Sequence, residues 1–188
     1  QGNNVLVMGK TVCEIWTQVG GVNSLGVPVP YQRNPTVNID YGCLSISTIA
    51  SSDLYIAWLG VNENNSPVIM IYSGNGASPI SSDGIDYVLQ QLKHPEQSTA
   101  FFFRQDGHSF YQLTFHNPAD NLTLVYDFTT QKFFNLTDWN LNYHPADHAI
   151  YFNNKSYFVS LNDASLYEFS TNYTTYNDNL NGYDPELD

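Results

Sequence analysis

The chain has 188 residues, of which 18 are acidic and 6 basic, giving a net charge of −12. That length allows a domain with a sizeable core, and the charge balance argues against a surface built to grip DNA phosphates or anionic lipid head groups. No apolar run reaches the roughly 20 residues that a membrane-spanning helix needs, no signal peptide opens the chain, and the 14 tyrosines and 11 phenylalanines favour strands.

In chain order, residues 5–8, a Gly9-Lys10 turn and residues 11–16 read as strand, turn, strand. Residues 18–35, crowded with glycine and proline, read as a long irregular connection. Residues 37–41 alternate as a half-buried strand would, and Gly42 ends them. A second group of strands is expected at 44–50, 54–59 and 67–73, closed by Gly74-Asn75-Gly76. Residues 81–93 then break the β pattern. Ile85, Val88, Leu89 and Leu92 fall on one face of a helix and are expected to be buried. Ser81 or Ser82 can cap that helix, Asp83 suits its dipole, and Pro95 stops it.

Residues 100–139 carry the clearest pattern. Four aromatic and β-branched runs, at 100–104, 109–115, 122–128 and 133–139, are separated by three turn signals. The first is Asp106-Gly107, a pair suited to the positive φ angles of a type I′ hairpin. The second is the loop 116–121 and the third is Thr129-Thr130-Gln131-Lys132. This is an up-and-down meander of four antiparallel strands, the unit of a propeller blade. A last group follows at 148–152, 155–160, 165–169 and 173–176, and residues 177–188 read as a loop or linker.

The groups echo one another. Val125-Tyr126-Asp127-Phe128-Thr129 matches Leu166-Tyr167-Glu168-Phe169-Ser170 at a spacing of 41 positions, and Cys13-Glu14-Ile15-Trp16-Thr17 is a weaker third copy. Such a spacing is that of propeller repeats. The expected fold is therefore all-β: a β-propeller or propeller segment over residues 1–176, with units near 1–41, 42–80, 100–139 and 147–176 and one short amphipathic helix.

Candidate sites are few. Cys13 and Cys43 have no zinc spacing and read as buried thiols, with a disulfide as the alternative. His144, Asp147 and His148 flank Pro145 and could in principle hold a metal, but a plain loop is the simpler reading. The carboxylates of Glu14, Asp40, Asp86, Asp106, Asp127 and Glu168 could supply a glycosidase pair. Asp127 and Glu168, however, share a repeat position, which implies a shared structural role such as bonding backbone amides of the next turn. His108 can hydrogen-bond its hairpin, and Arg33, one of few bases, could meet an acidic partner. No nucleophile elbow, phosphate loop or HExxH is present. No catalytic residue, metal or cofactor is expected. The interaction candidates are Trp16, Arg33, Asp106, Gly107, His108 and Asp127.

Several of these segments resemble the packaged-DNA stabilisation proteins of short-tailed phages related to P22. Glu14-Ile15-Trp16-Thr17-Gln18-Val19-Gly20 is similar to that family's E-x-W-x-N-x-G. Residues 30–33 with 39–43 resemble its F-x-R…I-x-x-G-C, and residues 79–86 its R-I-S-T-H-A-I-E helix start. Asp106-Gly107-His108-Ser109-Phe110-Tyr111-Gln112-Leu113-Thr114-Phe115, followed by Val125-Tyr126-Asp127, resembles its D/E-G-H-x-F-Y-x-L-T-F-P…W-V-Y-D. Asp83-Gly84 and His116 depart from the pattern. The resemblance implies a structural virion protein of the tail, assembled in the host cytoplasm and not an enzyme. It would form a ring of six copies below the portal and adaptor, retain packaged DNA and receive the tail needle. The alternative reading is a carbohydrate-binding or glycoside-processing propeller.

Overall fold

A computed structural model of the chain describes residues 4–74, 76–138 and 140–171. The chain divides into two compact units, one built from residues up to 46 with Ser51–Gln91, the other from Ser47–Ala50 with the residues from Leu92 onward. Each unit holds two antiparallel meander sheets, the blades of the expected propeller.

In the first unit, β1 (Asn4–Met8), β2 (Cys13–Val22) and β3 (Pro28–Ile39) form one blade in the order β1-β2-β3. The short strands β4 (Gly42–Cys43) and β5 (Ala50–Ser51) precede β6 (Ile56–Val61), β7 (Pro67–Tyr72) and β8 (Ala77–Pro79), and the second blade runs β4-β6-β7-β8. The blades meet through Cys13, Ile15 and Ile39 on one side and Trp58, Val68, Met70 and Tyr72 on the other. The alternation of β1 and β2 sends Leu6, Met8, Cys13 and Ile15 to that interface and leaves Val5, Val7, Glu14 and Trp16 on the opposite face. At the junction the Trp58 indole N–H donates to the Gly42 carbonyl at 3.0 Å, and Cys43 N–H donates to the Gly9 carbonyl at 2.9 Å. A Cβ on Gly42 would lie 2.2 Å from backbone atoms of Lys10, so only glycine fits there.

Three expectations for this unit are corrected. Residues 18–35 are no irregular loop: they complete β2 and β3, which pair from Cys13↔Ile39 to Val22↔Pro28. The prolines are tolerated because β3 is an edge strand, whose free side requires no N–H donors. Register shifts at Glu14/Trp16 and Gln18/Gly21 accommodate the irregular sequence. Residues 44–50 are largely not a strand; a 3-10 turn at Ile46–Thr48 occupies them. Their apolar alternation has no sheet face to serve, since Ile46 is 82% exposed. The helix, α1 (Asp83–Gln91), is shorter than 81–93 and packs on β7. Asp86 N–H donates to the Ser82 carbonyl, the first bond of the helix, while the Ser81 hydroxyl accepts from the Ile69 amide. Of the four expected core residues only Leu89 is fully buried; Ile85 and Leu92 are half-buried and Val88 is exposed. The helix cannot reach Leu92 because Lys93 and His94 give their amides to the Asp120 carboxylate at 2.6 and 2.8 Å.

In the second unit, β9 (Ser98–Gln105), β10 (His108–Phe115), β11 (Leu122–Asp127) and β12 (Lys132–Asn135) form the third blade, in sequential order. Its strands are apolar on both faces, and both are buried: Phe101 and Val125 on one, Tyr111, Leu113 and Phe115 on the other. The fourth blade is β13 (Ala146–Phe152), β14 (Lys155–Ser160) and β15 (Leu166–Phe169). Residues 173–176, expected as a further strand, and the tail 177–188 lie outside the described residues. Aromatic rings weld the two blades together. Phe103 stacks on Phe169 with centroids 4.4 Å apart and on Phe110 at 4.9 Å, and Phe158 meets Phe169 at 4.7 Å. Such pairs contribute about 0.5–1.5 kcal/mol each beyond their area burial.

Candidate interaction surface

The first blade brings Trp16 and Arg33 together. They face each other across β2 and β3, and Glu14 lies between them. Arg33 Nε donates to Glu14 Oε1 at 2.8 Å, and the Trp16 indole N–H donates to Oε2 at 3.0 Å. A second guanidinium nitrogen reaches Asn38 Oδ1 at 3.3 Å. The Arg33 side chain is 45% exposed, so the ion pair stabilises the blade by less than about 1 kcal/mol. Its main effect is to hold the Glu14 carboxylate between the indole N–H and the guanidinium and to neutralise its charge.

Beyond this cluster β2 and β3 continue as a two-stranded ribbon. Its tip is a turn closed by Asn23, whose side-chain oxygen accepts the amides of Leu25 and Val27 at 2.9 and 3.0 Å. Gly26 takes φ 75° there, a value that glycine reaches without strain. Between Glu14 and Arg33 no residue is charged. Along that stretch Val19, Val22, Leu25, Val27 and Tyr31 are exposed, Leu25 to 84%. An uncharged apolar ribbon on a chain of net charge −12 is a feature the sequence reading passed over. Its glycines and prolines masked a strand pair whose apolar residues serve no core.

The other four candidates meet at one end of the third blade. Asp106 and Gly107 form the two-residue β9–β10 turn with φ 50° and 81°, flanked by the pair Gln105↔His108. Both positive angles are those of a type I′ turn. The His108 ring reaches across to β11, where its Nδ1 lies 2.8 Å from Asp127 Oδ2. That carboxylate is 2% exposed and also accepts the Thr129 amide and the Thr130 hydroxyl, both at 2.8 Å. With the acceptor an ionised carboxylate, the His108 proton sits on Nδ1. Burial alone would raise the Asp127 pKa, but the bonds from His108, Thr130 and Thr129 outweigh it and hold the carboxyl below its usual range. Asp127 thus ties two turns of the blade together. Glu168, at the matching repeat position, bonds Lys155 Nζ at 2.9 Å across β14 and β15.

The histidines near Pro145 do not converge. His144 is buried within the second unit, against Phe158 at 5.0 Å, while exposed His148 bonds Asp147 at 2.7 Å. Among the described residues no group of three potential ligands could hold a metal ion. His144 belongs instead to a buried polar chain invisible in the sequence. Its amide donates to Thr123 Oγ1 at 2.9 Å, Thr123 Oγ1 donates to Thr114 Oγ1 at 3.2 Å, and Gln112 Nε2 lies 3.3 Å from Thr114 Oγ1 and 3.4 Å from His144 Nδ1. Burial pushes the His144 pKa down to about 4, the Asp138 carboxylate only partly opposing it. The cysteines are free thiols. Burial pushes Cys13 up to about 11, with neighbouring Cys43 adding to the shift.

The carboxylates that could have made a glycosidase pair are largely engaged. Glu14 holds Arg33 and Trp16, Asp106 accepts the Thr171 hydroxyl at 3.1 Å, and Asp127 and Glu168 are bound as described. The chain matches the sequence model of the family described as bacteriophage P22 Gp10, beta-propeller, over residues 1–174. No curated protein matches it.

Proposed function

The chain belongs to the bacteriophage P22 Gp10 β-propeller family, whose members are structural proteins of the phage particle, and from that premise we propose that it is a segment of the tail hub. It closes the channel below the portal and adaptor, retains the packaged DNA and joins the tail needle or fibre, as part of a ring of six copies that assembles in the host cytoplasm. It acts by contact between proteins rather than by chemistry.

The observation that carries this reading is the uncharged β2–β3 ribbon with its exposed Val22, Leu25 and Val27. Apolar side chains held in water on a defined hairpin gain free energy only when a partner covers them, about 25 cal/mol per Å² buried. The charge balance supports retention by closure rather than by grip. Duplex binding draws on clustered Lys and Arg releasing counterions. Here Lys10, Arg33, Lys93, Arg104, Lys132 and Lys155 are spread along the sequence among 18 acids. Acidic channel walls would let DNA slide.

The test is cross-linking of intact virions with a carboxyl-reactive dihydrazide, a reagent suited to a chain so rich in acids, followed by mass spectrometry. Cross-links from this chain to portal, adaptor or needle proteins are the expected result. Cross-links confined to distant capsid proteins, or absence of the chain from virions, would overturn the proposal.

A further inference from the structure

The two cysteines of the chain lie together at the junction of the first two blades. Cys13 opens β2 inside the core of that junction, 2% exposed, and Cys43 ends β4, half-buried against the same cluster. Both converge on one residue of the β1–β2 turn. The Cys43 amide donates to the Gly9 carbonyl at 2.9 Å, and the Cys13 sulfur is in hydrogen-bond contact with the backbone of Gly9. Gly42, next to Cys43, presses β4 onto the same turn, since a Cβ there would lie 2.2 Å from backbone atoms of Lys10. The Cys43 thiol itself donates to the Ser45 carbonyl at 3.2 Å.

Residues 14–42 lie between the two cysteines and include the whole apolar ribbon. A bond joining Cys13 to Cys43 would close that ribbon at its base, where β2 and β3 pair at Cys13↔Ile39. It would also tie β2 to β4, and so the first blade to the second. Both thiols are free, and burial pushes both pKa values up, so at neutral pH they are protonated and react slowly. Cys43 is the more exposed of the two and is the one that a dissolved oxidant reaches first.

We propose that Cys13 and Cys43 form a redox-closed latch, joined by exchange with a small disulfide such as oxidised glutathione. The Cys43 thiolate attacks one sulfur of that disulfide and releases the first glutathione thiolate, leaving a mixed disulfide on Cys43. The Cys13 thiolate then attacks the Cys43 sulfur and releases the second glutathione thiolate. The protein gives up two electrons and two protons, and the small disulfide is reduced to two thiols. A reducing compartment keeps the latch open and an oxidising one closes it. The chemistry is independent of which partner the ribbon meets and of where the chain sits in the phage particle. Closing a loop of this length removes entropy from the unfolded chain, so the urea midpoint should rise by on the order of 1 M.

The test treats the whole reduced chain with excess oxidised glutathione at mildly alkaline pH, in native buffer and, in parallel, in urea. Remaining thiols are blocked with N-ethylmaleimide, and the intact chain and its peptides are weighed by mass spectrometry. In native buffer the expected product is a monomer lighter by two hydrogens, unreactive to maleimide, with Cys13 and Cys43 in one cross-linked peptide. Its urea midpoint should be raised, and dithiothreitol should return it to the starting value. Cys43→Ser should show no rise under the same oxidant, and the cross-link in the unaltered chain decides the matter should that variant fail to fold. Two thiols that persist in native buffer, a mixed disulfide on Cys43 that Cys13 never resolves, or a bond that forms only in urea would overturn the proposal. A closed bond that leaves the midpoint unchanged or lowers it would overturn the role of the pair as a latch.

Discussion

Gly42→Ala should break the first unit at its tightest point. The added Cβ would sit 2.2 Å from the carbonyl carbon and oxygen of Lys10 and 2.3 Å from the Thr11 nitrogen. All three are backbone atoms, so no rotamer change relieves the overlap. Normal contact requires the β1–β2 turn or β4 to move by more than 1 Å, and overpacking of this kind costs about 1–3 kcal/mol or somewhat more. The same movement loosens two hydrogen bonds, Cys43 N–H to Gly9 O at 2.9 Å and Trp58 Nε1–H to Gly42 O at 3.0 Å. Each contributes about 0.5–1.5 kcal/mol, and the indole donor is buried with nowhere else to go. Together the loss is about 3–5 kcal/mol, a large part of a typical domain's stability. Urea unfolding followed by Trp fluorescence reads it as a lower midpoint at unchanged slope. Gly21→Ala is the control, because a Cβ there meets nothing within 4 Å. Gly42→Ala within about 1 kcal/mol of the unaltered chain would refute the close approach and the junction built on it.

Asp127→Ala leaves the His108, Thr129 and Thr130 donors without their acceptor and should cost about 2–3 kcal/mol. Glu168→Ala should change the urea midpoint by less than about 1 kcal/mol equivalent, because its bond to Lys155 is half in solvent. Gly107→Val places a β-branched residue at φ 81° and should cost about 1 kcal/mol or more in the same assay. His144 has a folded pKa of about 4 against 6.5 unfolded, so the unfolded state binds its proton first as pH falls. Its contribution is full above pH 6.5 and lost progressively down to about pH 4, and a His144→Gln variant should show a flatter urea midpoint between pH 7 and pH 4.5.

The third blade was legible because each of its strands is bounded by turn chemistry that allows no other reading. Asp106-Gly107 demands positive φ, and the loop around Asn117 bonds its own backbone. The ribbon was illegible for the converse reason. Glycine and proline argue against a strand only when both its edges must pair, and sequence alone does not say that β3 lies at an edge. Residues 44–50 show the opposite error: period-two alternation was present, but the segment turns at Ile46–Thr48 and exposes the isoleucine. The helix was placed correctly by period, yet it was extended to Leu92 because the pattern does not report where the amides of Lys93 and His94 go, and Val88, within the helix, is exposed although it shares the apolar face with buried Leu89.

The sequential order of the strands also shapes how this chain acquires its structure. In the first and third blades each strand pairs with its immediate neighbour in the chain, so a sheet is complete once a few dozen residues are available. Contacts so close in sequence demand little loop-closure entropy before they begin to stabilise, and they place the chain towards the faster end for an all-β protein. A blade can therefore form while the next is still being synthesised, burying strand edges that would otherwise be open to neighbouring nascent chains. That order of events limits misassembly before any partner is met.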